Sequence, residues 1–156
     1  MQIIEIYTDG SSLGNPGKGG YGVVLTVGEK TLHEIGGFEA NTTNNRMELK
    51  AVIEALKYIA SPKQGLGPVT EVIIHADSSY VLGGIESWVA NWEKNGWRTA
   101  NKKPVLNQEL WQELIALVRS CPVPLSFKKV KGHAGVVHNE RADVIATTCA
   151  SKQEKL

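Results

Sequence analysis

The chain has 156 residues, of which 42% are hydrophobic and 21% charged, with a formal net charge of +1. That length suffices for one domain with its own core, without metal or disulfide staples, and the near-neutral balance excludes a protein that holds nucleic acid by bulk charge alone. No apolar run reaches membrane-spanning length, the N-terminus starts as a strand rather than a basic and apolar leader, and Cys121 and Cys149 have no metal or redox spacing, so a cytoplasmic protein without a membrane partner is expected.

Residues 2–8 alternate and are β-branched, which predicts a strand ending at Asp9. Two further strands are expected over Tyr21–Val27 and Thr31–Phe38, turning at Gly28-Glu29-Lys30. The period then changes: Leu49, Val52, Ile53, Leu56 and Ile59 form a helical stripe over Asn45–Ala60, with Thr42 or Thr43 as N-cap. Ser61–Pro68 reads as a loop, and Glu71–Ala76 as a fourth, doubly buried strand that stops at Asp77. Short helices follow around Ser79–Gly83 and Ser87–Lys94, then an amphipathic one over Gln108–Arg119. Leu125–Val130 is a fifth strand, Lys131–His138 a loop and Asn139–Ala150 a last helix. Residues 1–150 are thus expected to form a single domain, with 151–156 a frayed tail. Hairpins first and crossovers after predict an α/β fold, a mixed five-stranded sheet flanked by helices.

Asp9–Gly22 holds six glycines, and Gly17–Gly22 matches GxGxxG. A dinucleotide site needs those glycines to open a helix, whereas here they open a strand. Kinase signatures are absent, and Lys18 is followed by Gly19 rather than the Ser or Thr of a P-loop. A glycine-rich connection with Asn15-Pro16-Gly17 as turn residues is the better reading.

The chain has thirteen glutamates but three aspartates, and two of these, Asp9 and Asp77, stand where a hydrophobic strand runs out. Ligands of open α/β sheets gather outside the carboxyl ends of strands. Asp143 lies near the start of the last helix and Glu48 in the first turn of the long one. Carboxylates clustered without histidine or cysteine suit a hard cation such as Mg²⁺ or Mn²⁺. Each also has a plain alternative, as a turn residue or a helix-terminus anion. Between Asn91 and His133 there are eight cations against three anions, an excess compatible with a polyanion-binding face or simply a solvated basic surface.

The blocks YTDGSSLGNPGKGGYG, TTNNRMEL, ADSSYV, WVANWEKNGWRTANKKPVLNQELW and VKGHAG…NERAD, spanning Tyr7–Asp143, resemble ribonuclease H type 1 in that family's order. The resemblance implies a sheet of order 3-2-1-4-5 whose first three strands are antiparallel. It also implies an endonuclease that hydrolyses the RNA strand of RNA–DNA hybrids to 3′-hydroxyl and 5′-phosphate ends. The metal carboxylates of that family fall on Asp9, Glu48, Asp77 and Asp143, where two Mg²⁺ ions about 4 Å apart, with Mn²⁺ as a substitute, would activate water and support the leaving oxygen. Asp9 is the candidate to bridge both ions. His133, in KGHAG, falls on the family histidine that assists proton transfer or product release.

By the same resemblance, Gly10, Ser11, Asn15, Asn44 and Glu48 would contact the RNA strand, while Asn15, Thr43 and Asn44 fall where the family holds a DNA sugar or phosphate. Trp88, Trp92 and Trp97, interleaved with Lys94, Lys102 and Lys103, match the basic protrusion that grips the DNA strand; the plain alternative is that Trp88 and Trp92 pack on the core. Glu93 and Asn95 replace residues that tend to be basic, which argues for weaker phosphate affinity, and Ser79 puts one minor-groove hydrogen bond in doubt. The 61–68 loop is slightly long for the family. A monomer is expected. The alternative to a nuclease is a non-catalytic hybrid-binding module, which loss of one carboxylate would favour, and none is lost.

Overall fold

A computed structural model describes residues 2–61, 67–130 and 137–156. Alternation in the first strand is the organising signal: Ile4, Ile6 and Thr8 of β1 (Gln2–Ser12) are buried on one face. β2 (Gly17–Val27) and β3 (Lys30–Thr42) continue as antiparallel neighbours, and α1 (Asn44–Ala60) follows with Thr43 as its N-cap. β4 (Val69–Ala76) returns parallel to β1, and β5 (Leu125–Lys129) parallel to β4. The sheet order is β3-β2-β1-β4-β5, as expected from the resemblance. Between β4 and β5 lie α2 (Ser79–Gly83), α3 (Val89–Lys94) and α4 (Gln108–Arg119), and α5 (Val137–Lys152) closes the chain.

Three features depart from the sequence reading. The hairpin strands are longer than predicted: β1 runs past Asp9 to Ser12 and β2 starts at Gly17, so the glycines sit inside the ladder and the connection is short. The two short helices are one continuous path, because Gly84–Trp88 forms a π-helical turn with right-handed backbone at both junctions. Gly83-Gly84 reads as a breaker, but Gly84 stays helical because the Trp111 ring occupies the space of its missing side chain. Finally, α5 begins at Val137, inside the predicted loop, and Leu156 N–H donates to the Gly36 carbonyl at 3.0 Å.

The main core lies between the sheet and α1, α4 and the α2–α3 path. Ile4, Ile6, Leu25, Leu49, Ile53, Ile74 and Trp111 are fully buried there, and each such aliphatic side chain contributes about 1.5–3 kcal/mol. On the other face α5 packs through a thinner layer of Val24, Ala142, Ile145 and Cys149. A methyl on Gly20 or Gly22 would run into the Ala146 or Ala142 carbonyl, so strand glycines let this helix lie against the sheet.

Candidate functional site

β1 and β4 are parallel neighbours with Thr8 opposite Ala76, so Asp9 and Asp77, the next residues, emerge side by side at one end of the sheet. Asp9 is still within the β1–β2 ladder, opposite Gly22. After Asp77 the chain turns into a helix capped by Ser78, whose Oγ accepts from Val81 N–H at 3.2 Å.

α1 brings Glu48 to the same end. Thr43 Oγ1 accepts from Arg46 N–H at 3.2 Å and starts the helix at Asn44, which places Glu48 beyond the first turn rather than within it. Gly10 N–H donates to Glu48 Oε1, and a methyl on Gly10 would collide with the Met47–Glu48 backbone. The bare backbone at Gly10 therefore sets how closely α1 and its carboxylate approach β1. Asp9, Glu48 and Asp77 each offer an oxygen within 4.8 Å of the others. Asp143, on α5, lies near enough to Asp9 to push its carboxyl up. Asp9, Glu48 and Asp77 thus converge from β1, α1 and the exit of β4, with Asp143 of α5 neighbouring Asp9 outside that set of three.

Burial is the main electrostatic fact for Asp9 and Glu48, and neighbouring carboxylates come second. Asp9 is pushed up to about 9, first by burial, then by Glu48, the hydrogen bond to Asp143 and the Asp77 charge. Glu48 is pushed up to about 7, first by burial and then by Asp77, against hydrogen bonds from Asp9, Gly10 and Ser78 that pull it down. Asp9 and Glu48 hold their protons because burial disfavours their charged forms and neighbouring carboxylates add to it. A close set of carboxylate oxygens with unbalanced charge fits a hard divalent cation.

Two other groups of sequence candidates fall in distinct places. Gly10, Ser11, Asn15, Thr43 and Asn44 gather beside Glu48: Ser12 N–H donates to Asn44 Oδ1 at 2.7 Å, and Asn44 N–H to Asn15 Oδ1 at 3.4 Å. Trp88, Trp92 and Trp97 gather instead with one another, with centroids 6.2 Å apart for Trp88–Trp92 and 6.0 Å for Trp92–Trp97. Trp92 also meets the fully buried Trp111 at 5.6 Å, so this aromatic run grows out of the core while Trp88 remains 39% exposed. Beyond it, residues 97–105 form a small hairpin in which Val105 N–H donates to Trp97 C=O at 3.1 Å and Arg98 bridges Pro104. Lys94, Lys102 and Lys103 are exposed on this protrusion. His133 lies outside the described residues.

The sequence reading missed several supporting residues. Tyr80 OH accepts from Trp111 Nε1 at 2.9 Å and from Asn107 Nδ2 at 3.1 Å, tying the α2–α3 path to α4. Arg46 donates to Asn107 Oδ1 at 3.1 Å and Glu109 Oε1 at 2.7 Å. Glu93, read as a charge that weakens phosphate binding, is engaged in both oxygens by Arg119 at 2.6 and 2.7 Å. None of these has a local signal, since partners 26 to 63 residues apart meet only in the fold.

A family model described as RNase H matches residues 1–151. The chain is 52% identical over 144 residues to a protein named Ribonuclease H from Thermosynechococcus vestitus, covering 92% of this chain and 86% of that one. Among solved structures it is similar to LC9-RNase H1, described as a type 1 RNase H with the type 2 active-site motif, with a TM-score of 0.83 and 32% identity over 99% of this chain and 75% of that one. It is also similar to LC11-RNase H1 in complex with an RNA/DNA hybrid, with a TM-score of 0.67 and 27% identity over 96% and 98% of the two chains.

Proposed function

The chain belongs to the RNase H family, and on that premise we propose that Asp9, Glu48, Asp77 and Asp143 hold the divalent cations with which it cleaves RNA–DNA hybrids. It is an endoribonuclease that hydrolyses the RNA strand, leaving 3′-hydroxyl and 5′-phosphate ends. The observation that carries the metal reading is the convergence of Asp9, Glu48 and Asp77, each offering an oxygen within 4.8 Å of the others.

Bound Mg²⁺, with Mn²⁺ as a substitute, supplies an activated water and charge stabilisation at the phosphate. The residues around it do the positioning. Gly10 N–H holds Glu48 Oε1 and so orients the carboxylate toward Asp9 and Asp77. Asp9, flanked by Glu48 of α1 and Asp143 of α5, would hold a cation together with either neighbour. Gly10, Ser11, Asn15, Thr43 and Asn44 take sugar and phosphate groups beside Glu48, and their shared hydrogen bonds hold them ready for that role. Trp88, Trp92 and Trp97 with Lys94, Lys102 and Lys103 hold the DNA strand by apolar contact and charge. His133 assists proton transfer or product release from between its flanking glycines. All four carboxylates come from one chain, which supports a monomer. Among the described residues no helix is long and apolar enough to cross a membrane, and the cytoplasm is the compartment we assign.

The test is cleavage of an end-labelled RNA–DNA hybrid in Mg²⁺, in EDTA, and by Asp9→Asn protein in Mg²⁺. Cutting confined to the RNA strand and lost in the second and third arms is expected. Cutting that survives in either arm overturns the metal reading, and binding without any cutting would make the chain a hybrid-binding module.

A further inference from the structure

The contacts assigned to the strand being cut all lie on one side of the carboxylates, at the β1–β2 hairpin and the start of α1. Along the sheet the order is β2-β1-β4-β5, so a strand laid across Asp9 and Asp77 next meets the end of β5. There Lys129 stands opposite Ala76, the residue before Asp77, and Val130 N–H donates to the Ala76 carbonyl at 3.0 Å. Neighbouring strands are about 4.8 Å apart, so the Lys129 backbone is one strand spacing from the chain that bears Asp77.

The Lys129 side chain does not extend freely into water. Its Nζ donates to Ser79 Oγ, two residues after Asp77, although Lys129 is exposed and forms no ion pair among the described residues. Ser79 and Lys129 border a shallow depression of about 260 Å³ lined also by Leu82, Gly83, Glu86 and Phe127. Phe127 and Lys129 are two apart on β5, so they share the face that looks toward α2. The depression therefore has an apolar floor, an ammonium at the edge nearest Asp77 and a carboxylate on its rim.

Those are the recognition elements of a ribonucleotide. A sugar edge fits the apolar floor, a phosphate the ammonium, and a 2′-hydroxyl can donate to Glu86, which a deoxyribose cannot do. The Glu86 charge also disfavours a second phosphate, which limits the depression to one nucleotide. We infer that the Ser79–Lys129 depression is a subsite for the RNA strand on the β5 side of the cut, with Lys129 as its phosphate contact and Ser79 as the residue that positions Lys129. The inference rests on the hybrid-cleaving reading above, and it gives Ser79 a use in place of the minor-groove hydrogen bond that its short side chain put in doubt.

The test uses the whole chain with Lys129→Gln, Lys129→Arg, Ser79→Ala and the Lys129→Gln/Ser79→Ala double variant, each first compared with the parent by thermal melting. Hybrid binding is measured by anisotropy in EDTA at several salt concentrations, and cleavage in Mg²⁺. For Lys129→Gln we expect Kd and KM to rise about three- to tenfold with kcat changed less than twofold, and the slope of log Kd against log salt to fall by about one. Lys129→Arg should restore most of the affinity. Ser79→Ala should act in the same direction but more weakly, and the double variant should be no worse than Lys129→Gln alone.

A series of hybrids with one neutral methylphosphonate moved along the RNA strand locates the contact. One position should weaken parent binding and have no effect on Lys129→Gln binding. Unchanged affinity and salt slope for Lys129→Gln, or equal sensitivity of parent and variant at every position, overturns the subsite while parent cleavage leaves the nuclease reading standing. A parent protein that does not cut hybrids overturns the nuclease reading and the subsite with it.

Discussion

Gly22 lies directly opposite Asp9 across the β1–β2 ladder, and the space its side chain would fill is taken by the Ala142 carbonyl of α5. The residue after Ala142 is Asp143, which neighbours Asp9 and helps to push its carboxyl up. A strand glycine thus sets the distance at which two carboxylates from opposite ends of the chain can share a site.

Gly22→Ala is therefore expected to act on both stability and the site. Overpacking against helix backbone costs about 1–3 kcal/mol, and the main chain of α5 has no flexible end to give way. Thermal melting should show a loss of roughly 3–10 °C for a chain of this size. Calorimetric Mg²⁺ affinity should drop as well, whereas Val24→Ala, in the same α5 contact layer but away from the carboxylates, should lower Tm and leave Mg²⁺ affinity near the parent value.

The carboxylate cluster makes metal-free stability depend on pH in a definite direction. Asp9, near 9, and Glu48, near 7, lie above their ordinary values, so the folded state holds these protons more tightly than the unfolded chain. Their contribution is present in full below about pH 4 and is lost as pH rises through 7 and then 9. Glu34, held low by Arg141, acts in the opposite sense only as pH falls through the carboxylate range. In EDTA the Tm should fall from pH 5.5 to pH 9, and the gain on adding Mg²⁺ should grow over the same interval. A Mg²⁺ gain that is flat with pH would contradict the arrangement.

Asp9→Asn should separate activity from stability. Cleavage is expected to fall at least about 10³-fold, since the group acts as a unit. At pH 8 the folded state must take up a proton to bury Asp9, and a neutral amide removes that cost, so Tm in EDTA should rise by about 3 °C or more. Inactivation accompanied by a lower metal-free Tm would mean that Asp9 holds the fold rather than a cation.

Tyr80→Phe tests the brace behind the aromatic run. Trp111 Nε1 is buried and would lose its acceptor, at a cost of about 1–3 kcal/mol measurable by denaturant unfolding. Asn107, released from Tyr80, keeps only Arg46, so hybrid affinity should fall modestly while Mg²⁺ affinity stays unchanged.

Glu93→Gln frees Arg119 from a surface pair. Such pairs add little to stability, so Tm should stay near the parent value. Hybrid binding should tighten and its salt slope steepen, because a cation returns to the basic side of the molecule.

The end of β4 was legible from a hydrophobic run that stops at Asp77, and the change of period at Asn45 announced α1, whereas β1 continues past Asp9 to Ser12. The glycines were not legible in the same way. Gly20 and Gly22 look like turn residues until α5, more than a hundred positions later, is laid against them. Gly83-Gly84 likewise looks like a helix end until Trp111 occupies the gap. Local propensity identifies what a glycine permits, and only the tertiary partner shows which permission is used. The Glu93–Arg119 pair was hidden for the same reason: the expected weakening of phosphate affinity by Glu93 keeps its sign and acts by occupying Arg119.

The carboxylates are drawn from positions 9, 48, 77 and 143, and β1, the central strand, joins a local hairpin on one side to a remote parallel strand on the other. Parallel pairing closes a long loop before it returns any contact energy, so it forms slowly, whereas the hairpins form early. During refolding, hairpin signals should therefore appear well before high-affinity Mg²⁺ binding. The cation reports on the finished molecule: a chain stalled with its first three strands paired would carry Asp9 and nothing to share it with.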